Sequence, residues 1–201
     1  GLDLASTSDL CSLALTFPPI LPDEPVKTLW YFWAPEENAR KRDRTDGIPY
    51  LQWIDEGYIY STPGNVTDYE YIRSTLNSLL SKFRIHSIGY DRYNSSQLVT
   101  QLIDDGFQMD PFGQGFISMS TPTKDLERLV LQAKYNHGNN PVLRWQCGNV
   151  SIRIDPAGNI KIDKAKSADK VDGMVAGVMA LGQWNTYPDA VQQNSSPIIF
   201  L

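Results

Sequence analysis

Residues 1–17 read GLDLASTSDLCSLALTF, two strand-like runs that each come with an aspartate. Asp3 lies inside the first run, although aspartate is depleted in strands and is seldom buried without a partner. If the chain ran straight from Asp3 to Asp9, the two carboxylates would be about 20 Å apart. The small residues between them favour a turn, so the stretch predicts a hairpin that brings Asp9 back near Asp3.

The composition is that of an ordinary globular chain. Its 201 residues are 41% hydrophobic and 20% charged, which is enough for one domain with a sizeable core. The formal net charge of -5 gives no indication of nucleic-acid binding from bulk charge alone. The sequence has no initiator methionine, no signal peptide and no apolar run long enough to cross a membrane, so we expect a domain from a longer protein.

Strand and helix signals alternate along the rest of the chain. Amphipathic or apolar spacing predicts helices at residues 68–83, 95–106, 121–136 and 167–182. Alternating patterns predict strands at residues 10–17, 26–35, 57–64 and 85–91, and a hairpin at residues 150–163. We therefore expect an α/β or α+β domain over residues 1–182, followed by a weakly structured tail over residues 183–201.

Several familiar catalytic patterns are missing from the sequence. It contains no Gly-rich phosphate loop and no dinucleotide fingerprint. His86 and His137 have no metal-ligand spacing to Cys11 or Cys147, and the two cysteines predict buried thiols. No nucleophile-elbow pattern supports a Ser-His-Asp triad. Any catalytic chemistry is therefore expected to rest on carboxylates.

Three aspartates stand at places where a fold disfavours a charge. Asp3 lies in the first strand, Asp91 ends the apolar run at 85–91, and Asp172 lies in the first turns of an apolar helix. Each has an ordinary explanation, as a solvent-facing edge residue, a turn residue or a partner of the helix dipole.

Together the three aspartates predict a different role. Carboxylates gathered in a partly buried cleft repel one another and raise their pKa values. A hard divalent cation relieves that repulsion, and an all-oxygen ligand set favours Mg²⁺ or Mn²⁺. Two such ions can activate a water and stabilise the leaving oxygen in phosphodiester cleavage. Asp3, Asp91 and Asp172 therefore predict one site for metal-dependent hydrolysis. Asp9 would either support these ligands without binding the metal itself or be a turn residue.

Four segments carry a family resemblance. They are GLDLASTSDL (1–10), IGYDRYNSSQLVTQLIDDGF (88–107), NHGNNPVLRWQCGNV (136–150) and KSADKVDGMVAGVMALG (166–182). In this order, over nearly the whole chain, they resemble the nuclease domain of tailed-phage terminase large subunits. The resemblance implies an RNase H-like fold, a central mixed β-sheet flanked by α-helices, to which the pattern at 150–163 adds a β-hairpin near the C-terminus.

The resemblance also implies an activity and a site. The metal ligands would be Asp3, Asp91 and Asp172, holding two divalent ions, Mg²⁺ or Mn²⁺. The activity would be metal-dependent endonucleolytic cleavage of concatemeric double-stranded viral DNA during genome packaging. The sequence contains no P-loop, so we expect no ATPase domain in this chain.

Partners and location follow from the same resemblance. In the full protein they would include double-stranded DNA, an ATPase domain, the terminase small subunit and the portal, and no membrane. The expected location is the cytoplasm of an infected bacterial host or a lysogen, without secretion. Two alternatives stay open: another RNase H-like nuclease, such as a resolvase or transposase core, or a non-catalytic domain that docks to the portal.

Two basic residues next to the predicted ligands are candidates for DNA contact. Arg92 follows Asp91, and Lys170 precedes Asp172 by two positions, so either would meet a phosphate or form an ion pair that softens the acidic cluster. The basic run at 39–44 is more typical of a solvated face than of a DNA-binding surface.

Overall fold

A computed structural model describes residues 1–4, 10–21, 23–92 and 96–188 of the chain. The strands are β1 (Leu2–Asp3), β2 (Cys11–Phe17), β3 (Val26–Pro35), β4 (Tyr60–Thr62), β5 (Ile88–Tyr90), β6 (Met109–Pro111), β7 (Tyr135–Asn136), β8 (Ile152–Ile154) and β9 (Ile160–Ile162). The helices are α1 (Glu36–Asp46), α2 (Tyr50–Asp55), α3 (Tyr69–Leu80), α4 (Ser96–Asp104), α5 (Phe116–Leu131), α6 (Pro141–Asn149) and α7 (Asp172–Thr186).

The main sheet is mixed and, within the described ranges, has seven strands. Its order is β4-β3-β2-β1-β5-β6, with β7 paired to the start of β3. Strand β2 pairs antiparallel with β1 on one side and with β3 on the other, whereas β5 and β6 run parallel to β1. The antiparallel β1–β2 pairing confirms that the chain turns back after Asp3, although Asp9 itself lies outside the described residues.

Side-chain alternation divides the core into two layers around the sheet. Leu2, Leu13 and Trp33 point to one face, where they pack with helices α3 and α4. On the other face, Ala14 packs with α7, whose residues from Asp172 to Gln183 are nearly all buried. Helix α7 is apolar on most sides because α5 and α6 cover the flank that the sheet does not.

The small residues of α7 allow this close packing. A Cβ added at Gly177 would lie 2.7 Å from the ring of Trp30 on β3, and one added at Gly173 would lie 2.7 Å from the ring of Phe32. Both glycines therefore let the helix backbone approach the aromatic side chains of β3 directly.

The predicted hairpin near the C-terminus is confirmed as the antiparallel pair β8–β9. It lies against α5, where Ser120 Oγ accepts a hydrogen bond from the Ile160 amide at 3.1 Å and Lys124 Nζ donates to the Gly158 carbonyl at 2.9 Å. The hairpin is therefore fixed to the body of the domain before the chain turns towards α7.

Several element boundaries and one burial prediction were wrong. Helix α5 begins at Phe116 instead of residue 121, so Pro122 lies inside the helix. It ends at Leu131 instead of residue 136, because Tyr135–Asn136 form strand β7 and pair with β3. Helix α7 begins at Asp172 instead of residue 167, because Asp163 holds the residues just after it in a turn. The helix ends at Thr186, beyond the expected end at residue 182. Cys147 is exposed because it lies on the outer side of α6. Residues 189–201 of the predicted tail lie outside the described residues.

Candidate active site

Asp3 is a buried carboxylate on a central strand. Because Leu2 points into the α3–α4 layer, the next residue points to the α7 face of the sheet. The Asp3 side chain is 3% exposed and accepts hydrogen bonds from Lys164 Nζ at 2.6 Å and from Gln114 Nε2 at 3.0 Å. Burial raises the pKa of Asp3; Lys164 and Gln114 oppose the rise, and the charge of Asp91 adds to it.

Asp172 is the first residue of α7 and meets Asp3 from above the sheet. A carboxylate is favourable at a helix N-terminus because the unpaired amides there carry partial positive charge. Its side chain is 9% exposed, and Oδ1 lies 3.3 Å from Lys164 Nζ. The start of the helix is held by Gln146 of α6, whose Oε1 accepts from the Gly173 amide at 2.6 Å.

Lys164 joins the two carboxylates and was not predicted from the sequence. It follows β9 by two residues, and its ammonium contacts both Asp3 and Asp172. Partial burial lowers the Lys164 pKa, but attraction to the two carboxylates outweighs it and raises the pKa above the ordinary value for lysine. In the sequence Lys164 is one lysine among several in KIDKAKSADK, and no local pattern distinguishes it.

Asp91 lies at the same edge of the sheet as Asp3. Leu2 pairs with Tyr90 in parallel register, so the next residue of each strand reaches the carboxyl end beside its neighbour. Asp91 is half-buried and close enough to raise the pKa of Asp3. Among the residues that the structure describes, no group of three or more His, Cys, Asp or Glu side chains is close enough together to hold a metal ion. The three-aspartate metal site therefore stays a prediction, as does the role of Asp9, which lies outside the described residues.

The chemistry of the donors nevertheless fits a hard divalent cation. Asp3 and Asp172 already enclose a cationic group, and carboxylate oxygens are the ligands that Mg²⁺ and Mn²⁺ prefer. Three carboxylates, with Asp91, and one ammonium give a formal charge of -2, from three negative charges and one positive. Divalent cations would offset that negative charge.

The loop between β9 and α7 is tied to its surroundings on two sides. Arg42 of α1 forms an ion pair with Asp169, and its guanidinium lies 5.7 Å from the centre of the Tyr50 ring. On the other side, the Lys170 carbonyl accepts from Asn149 Nδ2 at 3.1 Å. These contacts fix the loop that carries Lys164 and leads into Asp172.

The structure places the remaining candidate residues as follows. Arg92 is exposed next to Asp91, and the side chain of Lys170 is half-buried in the loop before α7. In the basic run at 39–44, Arg42 is held by its ion pair with Asp169, whereas its basic neighbours are exposed. No helix among the described segments is both long and apolar enough to span a membrane.

Comparisons with known proteins agree with this architecture. A family model described as "Terminase large subunit, endonuclease domain" matches residues 1–187. The terminase large subunit of Enterobacteria phage HK97 is 33% identical over 191 residues, which covers 92% of this chain and 37% of that protein. Protein YmfN of Escherichia coli (strain K12) is 26% identical over 198 residues, covering 93% of this chain and 43% of that protein.

A solved structure gives the same result in three dimensions. The crystal structure of the HK97 bacteriophage large terminase matches with a TM-score of 0.82 at 33% identity, covering 90% of this chain and 38% of that one. The match confirms the expected mixed sheet flanked by helices. This chain spans about two fifths of the length of these relatives.

Proposed function

This chain belongs to the family of terminase large subunit endonuclease domains, and from that premise we propose that it is a divalent-metal-dependent DNA endonuclease. Its substrate would be concatemeric double-stranded viral DNA, cut during genome packaging. The observation that carries the proposal is the meeting of Asp3 and Asp172, two buried carboxylates from distant parts of the chain, around one cationic group.

The residues of the site would divide the work between them. Asp3, Asp91 and Asp172 would hold two divalent ions, Mg²⁺ or Mn²⁺. When bound, such ions supply an activated water and stabilise the leaving oxygen of a phosphodiester. Gln114 keeps the Asp3 carboxylate in one orientation by donating to Oδ1, and the buried setting of Asp3 and Asp172 strengthens their electrostatic attraction for a cation.

DNA contact would rest on basic residues beside the site, one exposed and one half-buried. Arg92 and Lys170 are the candidates for phosphate binding, since each lies next to or near a proposed ligand. Because the net charge of the chain is -5, we expect weak DNA affinity for the isolated domain. Delivery of DNA would then depend on the ATPase domain, small subunit and portal that we propose as partners of the full protein in the host cytoplasm.

Plasmid cleavage tests the proposal. The purified domain is incubated with supercoiled plasmid in EDTA, Mg²⁺ or Mn²⁺, alongside Asp172→Asn and the control Asp23→Asn, which alters a fully exposed carboxylate. We expect nicking and linearisation with either metal by the parent and the control, and none in EDTA or with Asp172→Asn. Equal cleavage in EDTA would contradict metal dependence, and a folded parent that is inactive with both metals would favour a non-catalytic docking domain.

A further inference from the structure

Lys164 occupies the centre of the candidate site. Its Nζ lies 2.6 Å from Asp3 Oδ2 and 3.3 Å from Asp172 Oδ1, so it is shared by two carboxylates that are otherwise buried. Ion pairing with a lysine normally serves to stabilise a fold, but here both partners are the residues proposed to hold metal. The same two oxygens cannot give their full interaction to an ammonium and to a divalent cation at once.

We propose that Lys164 is an internal counter-ion that competes with the metal for Asp3 and Asp172. In the metal-free domain the ammonium takes the position between the two carboxylates, and metal binding displaces it. This inference rests on the proposed function, because it assumes that Asp3 and Asp172 are metal ligands.

The local structure allows such a displacement without movement of the backbone. The turn that carries Lys164 is fixed by Asp163, whose Oδ1 accepts from the Ala165 amide at 3.2 Å and whose carbonyl accepts from Ser167 Oγ at 2.8 Å. Arg42 holds the same loop further on through Asp169. The Lys164 side chain is 41% exposed, so its flexible stem has a path into solvent.

The competition has two consequences. Without metal, Lys164 offsets the repulsion between carboxylates that burial would otherwise make severe. When metal is present, the Lys164 ammonium repels the cation and occupies the position between the two carboxylates, so Lys164 weakens metal affinity. The two effects are thermodynamically linked. The free energy with which Lys164 stabilises the two carboxylates is lost when a metal ion displaces it, and the metal affinity is lower by that amount.

Mn²⁺ binding measured without DNA tests the proposal. Free Mn²⁺ is followed by electron paramagnetic resonance while parent, Lys164→Gln, Lys164→Arg and Lys166→Gln are titrated; Lys166 is an exposed lysine of the same turn and serves as the control. We expect Lys164→Gln to bind Mn²⁺ about tenfold more tightly than the parent, within the usual range of coupling between two ligands. Lys164→Arg keeps the charge and should bind no more tightly than the parent, and Lys166→Gln should match the parent.

A melting series in EDTA gives a second readout. Without metal, Lys164→Gln should melt at a lower temperature than the parent. Mn²⁺ should then raise the melting temperature of Lys164→Gln by more than it raises that of the parent. Because Lys164→Arg retains a cation, it should fold in EDTA. Its Mn²⁺ affinity can therefore be measured even if the glutamine variant fails to fold. Tightening in the arginine variant, or unchanged or weaker Mn²⁺ affinity in a folded glutamine variant, would overturn the counter-ion role.

The outcomes separate the two levels of the proposal. If the parent binds Mn²⁺ and Lys164→Gln binds it equally well, the counter-ion role fails while the metal site stands. If neither the parent nor any Lys164 variant binds Mn²⁺, the metal site itself is contradicted and the proposed function fails with it.

Discussion

Asp3→Asn separates the cost of a buried charge from its use in holding metal. The substitution keeps the size of the side chain and removes one negative charge from a cluster whose formal charge is -2. Lys164 retains its contact with Asp172, and the asparagine oxygen can still accept a hydrogen bond from it. The loss is concentrated at Gln114, whose amide now faces another amide.

The magnitude follows from two opposed effects. A hydrogen bond to a charged group contributes about 1.5–3 kcal/mol, and one of the two at Asp3 is retained in altered form. Against this loss, burial raises the pKa of Asp3, which means that the fold favours the uncharged side chain. We therefore expect the metal-free variant to be as stable as the parent or more stable.

The metal-bound state should respond in the opposite way. At a metal concentration 100 times the dissociation constant, binding stabilises the parent by about 2.7 kcal/mol. For a domain of this size that corresponds to a rise in melting temperature of about 5–11 °C. Asp3→Asn loses a charge and a ligand, so the rise should shrink sharply and DNA cleavage should be lost.

Thermal melting in EDTA and in Mg²⁺ or Mn²⁺ measures both effects on the same samples. Asp23→Asn is the matched control, since it neutralises an exposed carboxylate without touching the site. A loss of about 3–5 kcal/mol in EDTA, as expected when one partner of a stabilising buried ion pair is removed, would refute the reasoning, above all if the metal-induced rise were unchanged. Asp3 would then be a structural residue.

Three further outcomes follow from the contacts. Gly177→Ala should lower the free energy of unfolding in urea by about 1 kcal/mol, because its Cβ would lie 2.7 Å from a tryptophan ring of β3. The control Gly148→Ala, in open space on α6, should be neutral or stabilising, and equal effects of the two substitutions would contradict the packing. Arg73 lowers the pKa of Asp105 to about 2, so this carboxylate adds stability above about pH 4 that is lost as the pH falls towards 2. Asp105→Asn should therefore be less stable at pH 7 and lose less on acid titration; an unchanged acid titration would contradict the pairing. Lys170→Ala should weaken DNA binding alike on all sequences and reduce the salt slope by about 1 in filter-binding titrations, and a sequence-selective loss would indicate base contact instead.

The elements with strong local signals were predictable from the sequence. Helices α3 and α4 follow from apolar spacing, and the β8–β9 hairpin follows from two alternating runs around a turn. The N-terminus of α5 was not predictable, because Pro122 is typical of a first turn and the helix extends upstream of it. The residues before Pro122 are helical because Met119 and its neighbours pack into the core, which helix propensity alone does not show.

The aspartates of the candidate site could be predicted from the sequence, whereas its lysine could not. Asp3 and Asp172 stand out because each interrupts an apolar segment, which is a local signal. Lys164 lies among other charged residues in a loop, and its contact with Asp3 joins positions 161 residues apart. The sequence alone therefore indicated unrelieved repulsion between carboxylates, whereas the fold supplies a cation between them.

The most direct test of the metal site is a crystal structure of the domain soaked in Mn²⁺, with anomalous differences collected near the manganese edge. We predict anomalous density between Asp3 and Asp172 and within ligand distance of Asp91, with the Lys164 ammonium moved out of the position between the two buried carboxylates. Density elsewhere on the protein, or no density at saturating Mn²⁺ while Lys164 still bridges Asp3 and Asp172, would contradict the assignment of these aspartates as metal ligands.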